Sequence, residues 1–278
     1  MTDPVLALED ASFAFGDLTI LDEASLAVER GELVALVGPN GAGKTTVLEL
    51  LAGLRAPDSG TVRRPTAAAR STAYLPQSPG FRSGFTVRET LAFYAGLVGA
   101  GDGDDAVDVD AVLDRVGLGD AADRRVEALS GGMTRLLGLA QALVGDPPVV
   151  VLDEPTSGLD PDVADSVFDA TAALATDDRA VVVASHDLAA VEARADRVVL
   201  AADGAIAFDG PPDALLAETG AGTLREAFSL AVADRAVLVD RGSAEFCGSC
   251  PDLMRDMARL TRAGLLAPLT RWVIDESE

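Results

Sequence analysis

Lysine occurs once in this chain of 278 residues, at Lys44, and histidine once, at His186, so arginine carries nearly all of the positive charge. That charge is scarce, with 22 Lys and Arg against 45 Asp and Glu and a formal net charge of -23. Binding to DNA or RNA rests on clustered cations facing the phosphates, so no nucleic-acid partner is expected. Cysteine occurs only at Cys247 and Cys250, too few and too close for a disulfide framework, which agrees with a reducing compartment. Apolar runs are short: the best, residues 136–145, ends at Asp146 and falls well below the roughly 18 residues of a membrane-crossing helix. The N-terminal Met1-Thr2-Asp3-Pro4 is acidic and has no basic region leading into an apolar stretch. No secretory signal is expected there, and a cytoplasmic location follows. The acidic, lysine-poor surface suits high salt, and a GC-rich genome produces much of the same bias.

What the chain does contain is organised around Gly38-Pro39-Asn40-Gly41-Ala42-Gly43-Lys44-Thr45-Thr46. This stretch has the GxxxxGK[ST] spacing of a phosphate loop, with an apolar run (33–37) before it and a helical pattern after it. Glycines there let the backbone turn tightly and aim its N–H groups at phosphate oxygens, and the following helix adds its positive end. Lys44 supplies a point charge to the β- and γ-phosphates of a nucleoside triphosphate. Thr45 offers a hydroxyl to Mg²⁺, which prefers hard oxygen ligands.

In chain order, short strands are expected at 5–8, 12–15 and 20–28, forming an antiparallel β-subdomain around a turn at Gly16-Asp17. The continuous apolar run 33–37 fits a parallel strand buried on both faces. A helix over 44–54 follows, then a turn at 57–60 and strands at 61–64 and 72–75. Residues 86–98 carry apolar residues at helical spacing, with Thr86 and Glu89 as a capping box. The Gly- and Asp-rich stretch 99–105 is expected to be an exposed loop, and 109–116 a short helix. Helix 134–144, opened by residues 129–133, precedes strand 149–152. Regular alternation then sets in: helix 162–175, strand 180–184, helix 187–194, strand 197–201, which is parallel α/β architecture. Beyond about residue 220 the pattern weakens, to a helix at 223–230, a strand at 235–239 and a helix at 252–263.

The strand at 149–152 runs into Asp153-Glu154, two adjacent carboxylates at the carboxyl edge of a parallel sheet, where ligands of open α/β folds bind. Asp153 suits Mg²⁺ coordination and Glu154 suits polarising the water that attacks a γ-phosphate. With these in place the sequence resembles the ATP-binding cassette family, specifically the nucleotide-binding subunit of an ABC transporter, over most of residues 5–215. The most specific element is Leu129-Ser130-Gly131-Gly132, which is similar to the family signature. Residues 152–160, LDEPTSGLD, look like the Walker B strand running into the D-loop, His186 in Ala184-Ser185-His186-Asp187 like the switch histidine, and Gln77 in Tyr74-Leu75-Pro76-Gln77 like the Q-loop glutamine.

The resemblance implies an α/β fold: a P-loop NTPase core with a mostly parallel sheet, an N-terminal antiparallel β-subdomain, and an inserted helical subdomain, about 78–146, carrying the signature. It implies an ATP-binding domain over 4–218 and an accessory segment over 219–278. ATP and Mg²⁺ are the implied ligands. Glu154, His186 and Gln77 then have catalytic roles, and Thr45, Gln77 and Asp153 hold the metal. Phe15 stacks on adenine, and Ser130, Gly131, Gly132 and Asp160 join the phosphate loop in contacting nucleotide. The signature makes physical sense in a dimer, because its Gly-rich helix start is a second anion site facing the γ-phosphate held by the partner. The implied partners are therefore a second ATP-binding subunit, as a homodimer, and separate transmembrane permease subunits docking near 79–94, with the chain peripheral on the inner face of the cell membrane.

Three features depart from the family pattern: Met133 stands for the usual signature glutamine, Thr134-Arg135-Leu136-Leu137 lacks the common basic and glutamine-rich continuation, and Phe15 replaces the more usual tyrosine. The alternative is a soluble cassette ATPase in a non-transport role such as metal-cluster assembly. Single copies of each motif and the lack of long coiled coils argue against translation-type and chromosome-type members. The pair Cys247-Gly248-Ser249-Cys250, read as lying just before a helix, can hold a reactive thiolate, bind a soft metal such as Cu(I), or merely pack.

Overall fold

A computed structural model describes residues 4–66, 70–99, 106–232, 236–240, 243–248 and 273–274. The chain divides into two compact units, 1–209 and 210–278. In the first, β1 (Leu6–Phe15) and β2 (Leu18–Val28) form a hairpin, and β3 (Leu33–Val37) leads through the phosphate loop into α1 (Lys44–Ala52). Next come β4 (Ser59–Arg63), β5 (Ala73–Leu75) and the helices α2 (Val87–Leu97), α3 (Val109–Arg115) and α4 (Gly131–Leu143). The unit continues through β6 (Val149–Asp153), α5 (Pro161–Ala172), β7 (Ala180–Ala184), α6 (Leu188–Arg194), β8 (Arg197–Ala202) and β9 (Ala205–Gly210).

Two sheets result. The antiparallel sheet has the order β2-β1-β4, and the larger one β5-β6-β7-β3-β8-β9, with parallel pairing from β5 through β8. Every residue of β3, β6 and β7 is buried, as continuous Val, Leu and Ala runs require when both faces are covered. Alternation at period 2 sorts them. Val34, Leu36, Val149, Val151, Val182 and Val199 join the core formed by α1 and the antiparallel sheet, where Val47, Leu48, Leu50 and Leu51 of α1 meet Leu6, Leu8, Leu21 and Leu26. Burying each such side chain contributes about 1.5–3 kcal/mol. On the other face α6 packs against β3, and α5 against α6. Helices α2, α3 and α4 pack on one another as a separate cluster, tied to the large sheet by α4 against β5.

The strands expected separately at 5–8 and 12–15 are one strand, β1, whose register against β2 shifts between Leu8 and Ala11 and again around Phe13. Asp10 takes a left-handed backbone (φ 45), its N–H donating to Ser25 Oγ at 2.9 Å, so an irregularity replaces the expected break. Helix α4 starts at Gly131 rather than at residue 134, because Ser130 caps it by accepting the Met133 N–H at 3.3 Å. The capping box of Thr86 and Glu89 is present in full. β9 was not expected, since its half-exposed alternation carries a weak apolar signal.

The second unit holds α7 (Pro212–Thr219) and α8 (Leu224–Val232), which pack together, and an antiparallel sheet β11-β10-β12 made of β10 (Ala236–Asp240), β11 (Ser243–Gly248) and β12 (Val273–Ile274). α7 was missed; Pro212 at its first turn marks the start in retrospect. Cys247 lies in β11, opposite Val237. Cys250, the helix expected at 252–263 and most of the loop at 99–105 lie outside the described residues.

Candidate functional site

The carboxyl ends of β5, β6, β7 and β3 are neighbours in the large sheet, and each opens into one of the motif loops. Strands distant in sequence thereby deliver Gln77, Asp153-Glu154, His186 and the phosphate loop to one edge. β3 sits between β7 and β8, so the loop leaves the sheet where the strand order reverses, the position favoured for ligands in open α/β sheets.

Within the loop, Gly41 and Gly43 adopt φ of 84° and 83°, values that a side chain would strain. Gly43 caps α1 without any side-chain bond, and the first turn of α1 carries no acidic residue, so its N-terminal amides and positive end are free for an anion. Lys44 is 6% exposed, and its ammonium donates to the carbonyls of Gly38 (2.8 Å) and Pro39 (2.9 Å). Burial pulls its pKa down, while Glu154 and Asp153 pull it back up. A cavity of about 300 Å³ opens over this loop, lined by Ile20, Asn40, Gly41, Gly43, Lys44, Thr45, Thr46 and Glu154.

Thr45 Oγ1 donates to Asp153 Oδ2 at 2.9 Å, and the Tyr74 hydroxyl approaches the same oxygen at 3.5 Å. Asp153 is 5% exposed; burial raises its pKa, and the Thr45 bond opposes that rise. Tyr74 is held far above the ordinary phenol range by burial and by Asp153, so it stays a donor. Two hard oxygens side by side, with Thr45 on the wall of the cavity, fit Mg²⁺ rather than a soft metal. Among the described residues no group of three or more His, Cys, Asp or Glu side chains forms a metal site of its own, so such an ion would need the phosphates.

Glu154 follows directly with a left-handed backbone (φ 46), its N–H donating to Ala184 O at 3.0 Å across to β7. Its side chain is gripped from both sides. Oε1 lies 2.6 Å from His186 Nε2, and Oε2 accepts from Gln77 Nε2 at 3.1 Å. Gln77 also reaches Ser157 Oγ at 3.3 Å. The three residues expected to be catalytic therefore meet in one hydrogen-bonded cluster beside the phosphate loop.

Other expected residues lie apart from this cavity. Phe15 is 49% exposed, edge-on to Phe13 at 5.0 Å, with the Arg55 guanidinium 5.0 Å over its ring. Ser130, Gly131 and Gly132 begin α4, and Asp160 precedes α5 without capping it by its side chain. A Cβ on Gly132 would sit 2.4 Å from Val163 Cγ1, so a side chain there would force Val163 to shift where α4 packs on α5. The sequence motifs assign no role to Ile20, Tyr74, Ser157 or Arg135. Tyr74 and Ser157 lay within quoted motifs, but nothing in their spacing shows which oxygen they face.

Comparison with known proteins gives the same picture. The ABC transporter family model matches residues 21–157. The Nod factor export ATP-binding protein I of Paraburkholderia xenovorans (strain LB400) is 35% identical over 225 residues, 78% of this chain and 74% of that protein. An uncharacterised ABC transporter ATP-binding protein of Bacillus subtilis (strain 168) is 39% identical over 209 residues, covering 74% and 70% respectively. Among solved structures, cbiO1 from Clostridium perfringens, part of the ABC transporter complex cbiONQ, superposes with a TM-score of 0.69 at 27% identity, over 78% of this chain and 92% of that one. A phosphate loop, a Walker B carboxylate pair and a signature helix on this fold, together with these relatives, show that the chain belongs to the ATP-binding cassette family as an ABC transporter ATP-binding subunit.

Proposed function

We propose that this chain hydrolyses MgATP within an ATP-sandwiched homodimer and so drives separate membrane-spanning permease subunits. The observation that carries this reading is the meeting of Gln77, Glu154 and His186 next to the phosphate loop. Lys44 and the loop amides bind the phosphates, and the start of α1 stabilises their charge. Thr45, Asp153 and Gln77 would hold Mg²⁺, which would supply positive charge to offset that of the phosphate oxygens. Glu154 takes the proton of the attacking water, and His186 holds the γ-phosphate and water in line. Phe15 stacks on the adenine, and Asp160 contacts nucleotide across the dimer. The ATP-binding domain is read as 4–218 and the accessory segment as 219–278, although the first compact unit closes at residue 209 and α7 falls in the second.

The relatives are named as transporter subunits, which favours this reading over a soluble cluster-assembly ATPase, and those named for Nod factor export support outward transport. No helix among the described residues is long and apolar enough to cross a membrane, in keeping with peripheral attachment at the inner membrane face. Co-purification of the chain from membranes with a multi-span partner tests that attachment.

The dimer has its own test. Ser130 caps the start of α4 and the first turn carries no acidic residue, so the positive end of that helix would suit a partner's γ-phosphate. With hydrolysis blocked by Glu154→Gln, sedimentation with MgATP is expected to show a dimer, and without nucleotide a monomer. Ser130→Arg places bulk against the partner's phosphate and is expected to abolish the dimer. A nucleotide-independent dimer that ignores Ser130→Arg would contradict the sandwich.

A further inference from the structure

Arg135 lies in the segment that departs from the family pattern, one turn into α4 beyond the signature. Its half-buried guanidinium is forked between two backbone carbonyls: Nη1 donates to Gln77 O, and Nη2 to Ser157 O at 3.2 Å. Both acceptors belong to the loops that hold Glu154. Gln77 follows β5 and bonds Glu154 Oε2 through its side chain, while Ser157 closes the turn after β6, its N–H donating to Glu154 O at 3.1 Å. The side chains of Gln77 and Ser157 also meet, so the contacts close a ring: Arg135 to Gln77, Gln77 to Ser157, Ser157 back to Arg135.

Like Arg64 and Arg70, this arginine serves backbone carbonyls, but its two acceptors belong to separate loops rather than to neighbouring residues of one stretch. Arg88, Arg179, Arg194 and Arg197 each pair with an Asp. Arg135 makes no ion pair among the described residues, and partial burial alone pulls its pKa down. A planar five-donor fork suits two carbonyls from different loops, which a lysine ammonium serves poorly. The link spans two functional ends, because Gly131 at the start of α4 is only about 6 Å along the helix from Arg135.

We propose that Arg135 is a positioning residue that fastens the signature helix to the two loops flanking Glu154, so that the anion site at the start of α4 and the hydrolytic cluster act as one piece. This rests on the reading of Glu154 and its neighbours as the hydrolytic cluster. Arg135 itself touches neither nucleotide nor water in this role. Its loss therefore acts on turnover and on dimer assembly, and leaves phosphate binding by the loop untouched.

The test compares Arg135→Met, which keeps length and packing but removes charge and donors, with Arg135→Lys and Arg135→Gln. In the full chain, MgATP affinity of Arg135→Met is expected to stay within about twofold, because Lys44 and the loop amides are unaltered. Steady-state kcat is expected to fall about tenfold, short of the roughly hundredfold that a full misplacement brings. In the Glu154→Gln background, the MgATP concentration needed for dimerisation should rise by a similar factor. Arg135→Lys should recover only part of kcat, and Arg135→Gln, with one amide donor group, should behave likewise if the Met variant is insoluble. Unchanged kcat and dimerisation overturns the inference. So does a parallel loss of affinity, kcat and thermal stability, which marks a merely structural residue, and so does full rescue by lysine, which marks a generic charge. Glu154→Gln is run alongside: normal turnover there means that the reading of the site has failed and this inference falls with it, whereas a slow Glu154→Gln beside a normal Arg135→Met condemns this inference alone.

Discussion

Lys44→Ala is expected to abolish tight MgATP binding. The ammonium is the only lysine in the chain, is 6% exposed, and sits at the base of the cavity over the phosphate loop. Its present partners are the carbonyls of Gly38 and Pro39, at 2.8 and 2.9 Å, so it is held at the loop rather than drawn away to Asp153 or Glu154. Phosphate oxygens would replace those carbonyls without moving the backbone far. Removing one partner of a desolvated charge pair costs about 2–5 kcal/mol, which at about 1.4 kcal/mol per tenfold is a weakening of roughly thirty- to several-thousandfold. Among the described residues no other cation lines the cavity to compensate. The folded core should persist, because the apolar cluster under α1 is made by Val47, Leu48, Leu50 and Leu51 and not by Lys44. Equilibrium titration with a fluorescent ATP analogue, with circular dichroism as a check on folding, measures the effect. An affinity equal to that of the unsubstituted chain would remove the phosphate loop from the site.

Much of the fold is legible in local pattern. Residues 33–37, 149–152 and 180–184 are uninterrupted Val, Leu and Ala, and no packing but a strand covered on both faces accommodates them so economically. Thr86 and Glu89 announce their helix because capping is chemistry between residues three apart. Glu9 and Asp10 interrupt the alternation of β1 and make it read as two strands, and only the cross-strand bond from Asp10 N–H to Ser25 Oγ shows why the strand continues. β9 and α7 lacked strong apolar periodicity and were invisible for that reason. In the site, residue types and motif order pointed to Lys44, Thr45, Asp153 and Glu154 individually. Their meeting depends on β5, β6, β7 and β3 being neighbours, an order set by long-range pairing that no local window contains. The fork of Arg135 across residues 77 and 157 is legible only once those loops are side by side.

Glu154→Gln separates binding from chemistry. The exchange keeps size and shape, and the amide can preserve both existing contacts, its oxygen accepting from Gln77 Nε2 and its NH₂ donating to His186. The left-handed backbone at Glu154 and its bond to Ala184 O are main-chain features that the exchange leaves in place. Only the negative charge is lost, and with it the capacity to take a proton from the attacking water. On this reading Asp153 would still hold Mg²⁺, Lys44 and the loop amides would still hold the phosphates, and one carboxylate fewer would lessen repulsion with the γ-phosphate. General-base contributions run to about 10²- to 10⁴-fold, so turnover should fall by at least the lower figure. His186→Ala, which frees Glu154 Oε1 and removes the aligning group, should also slow hydrolysis while leaving affinity largely intact.

The most direct measurement is steady-state phosphate release beside ATP affinity for Glu154→Gln and the unsubstituted chain in the same buffer. Release lowered at least hundredfold, with affinity equal or tighter and ATP retained on a dimer, is the expected result. Near-normal release would mean that the water is activated elsewhere, and would contradict the role of the Gln77, Glu154 and His186 cluster as the hydrolytic centre.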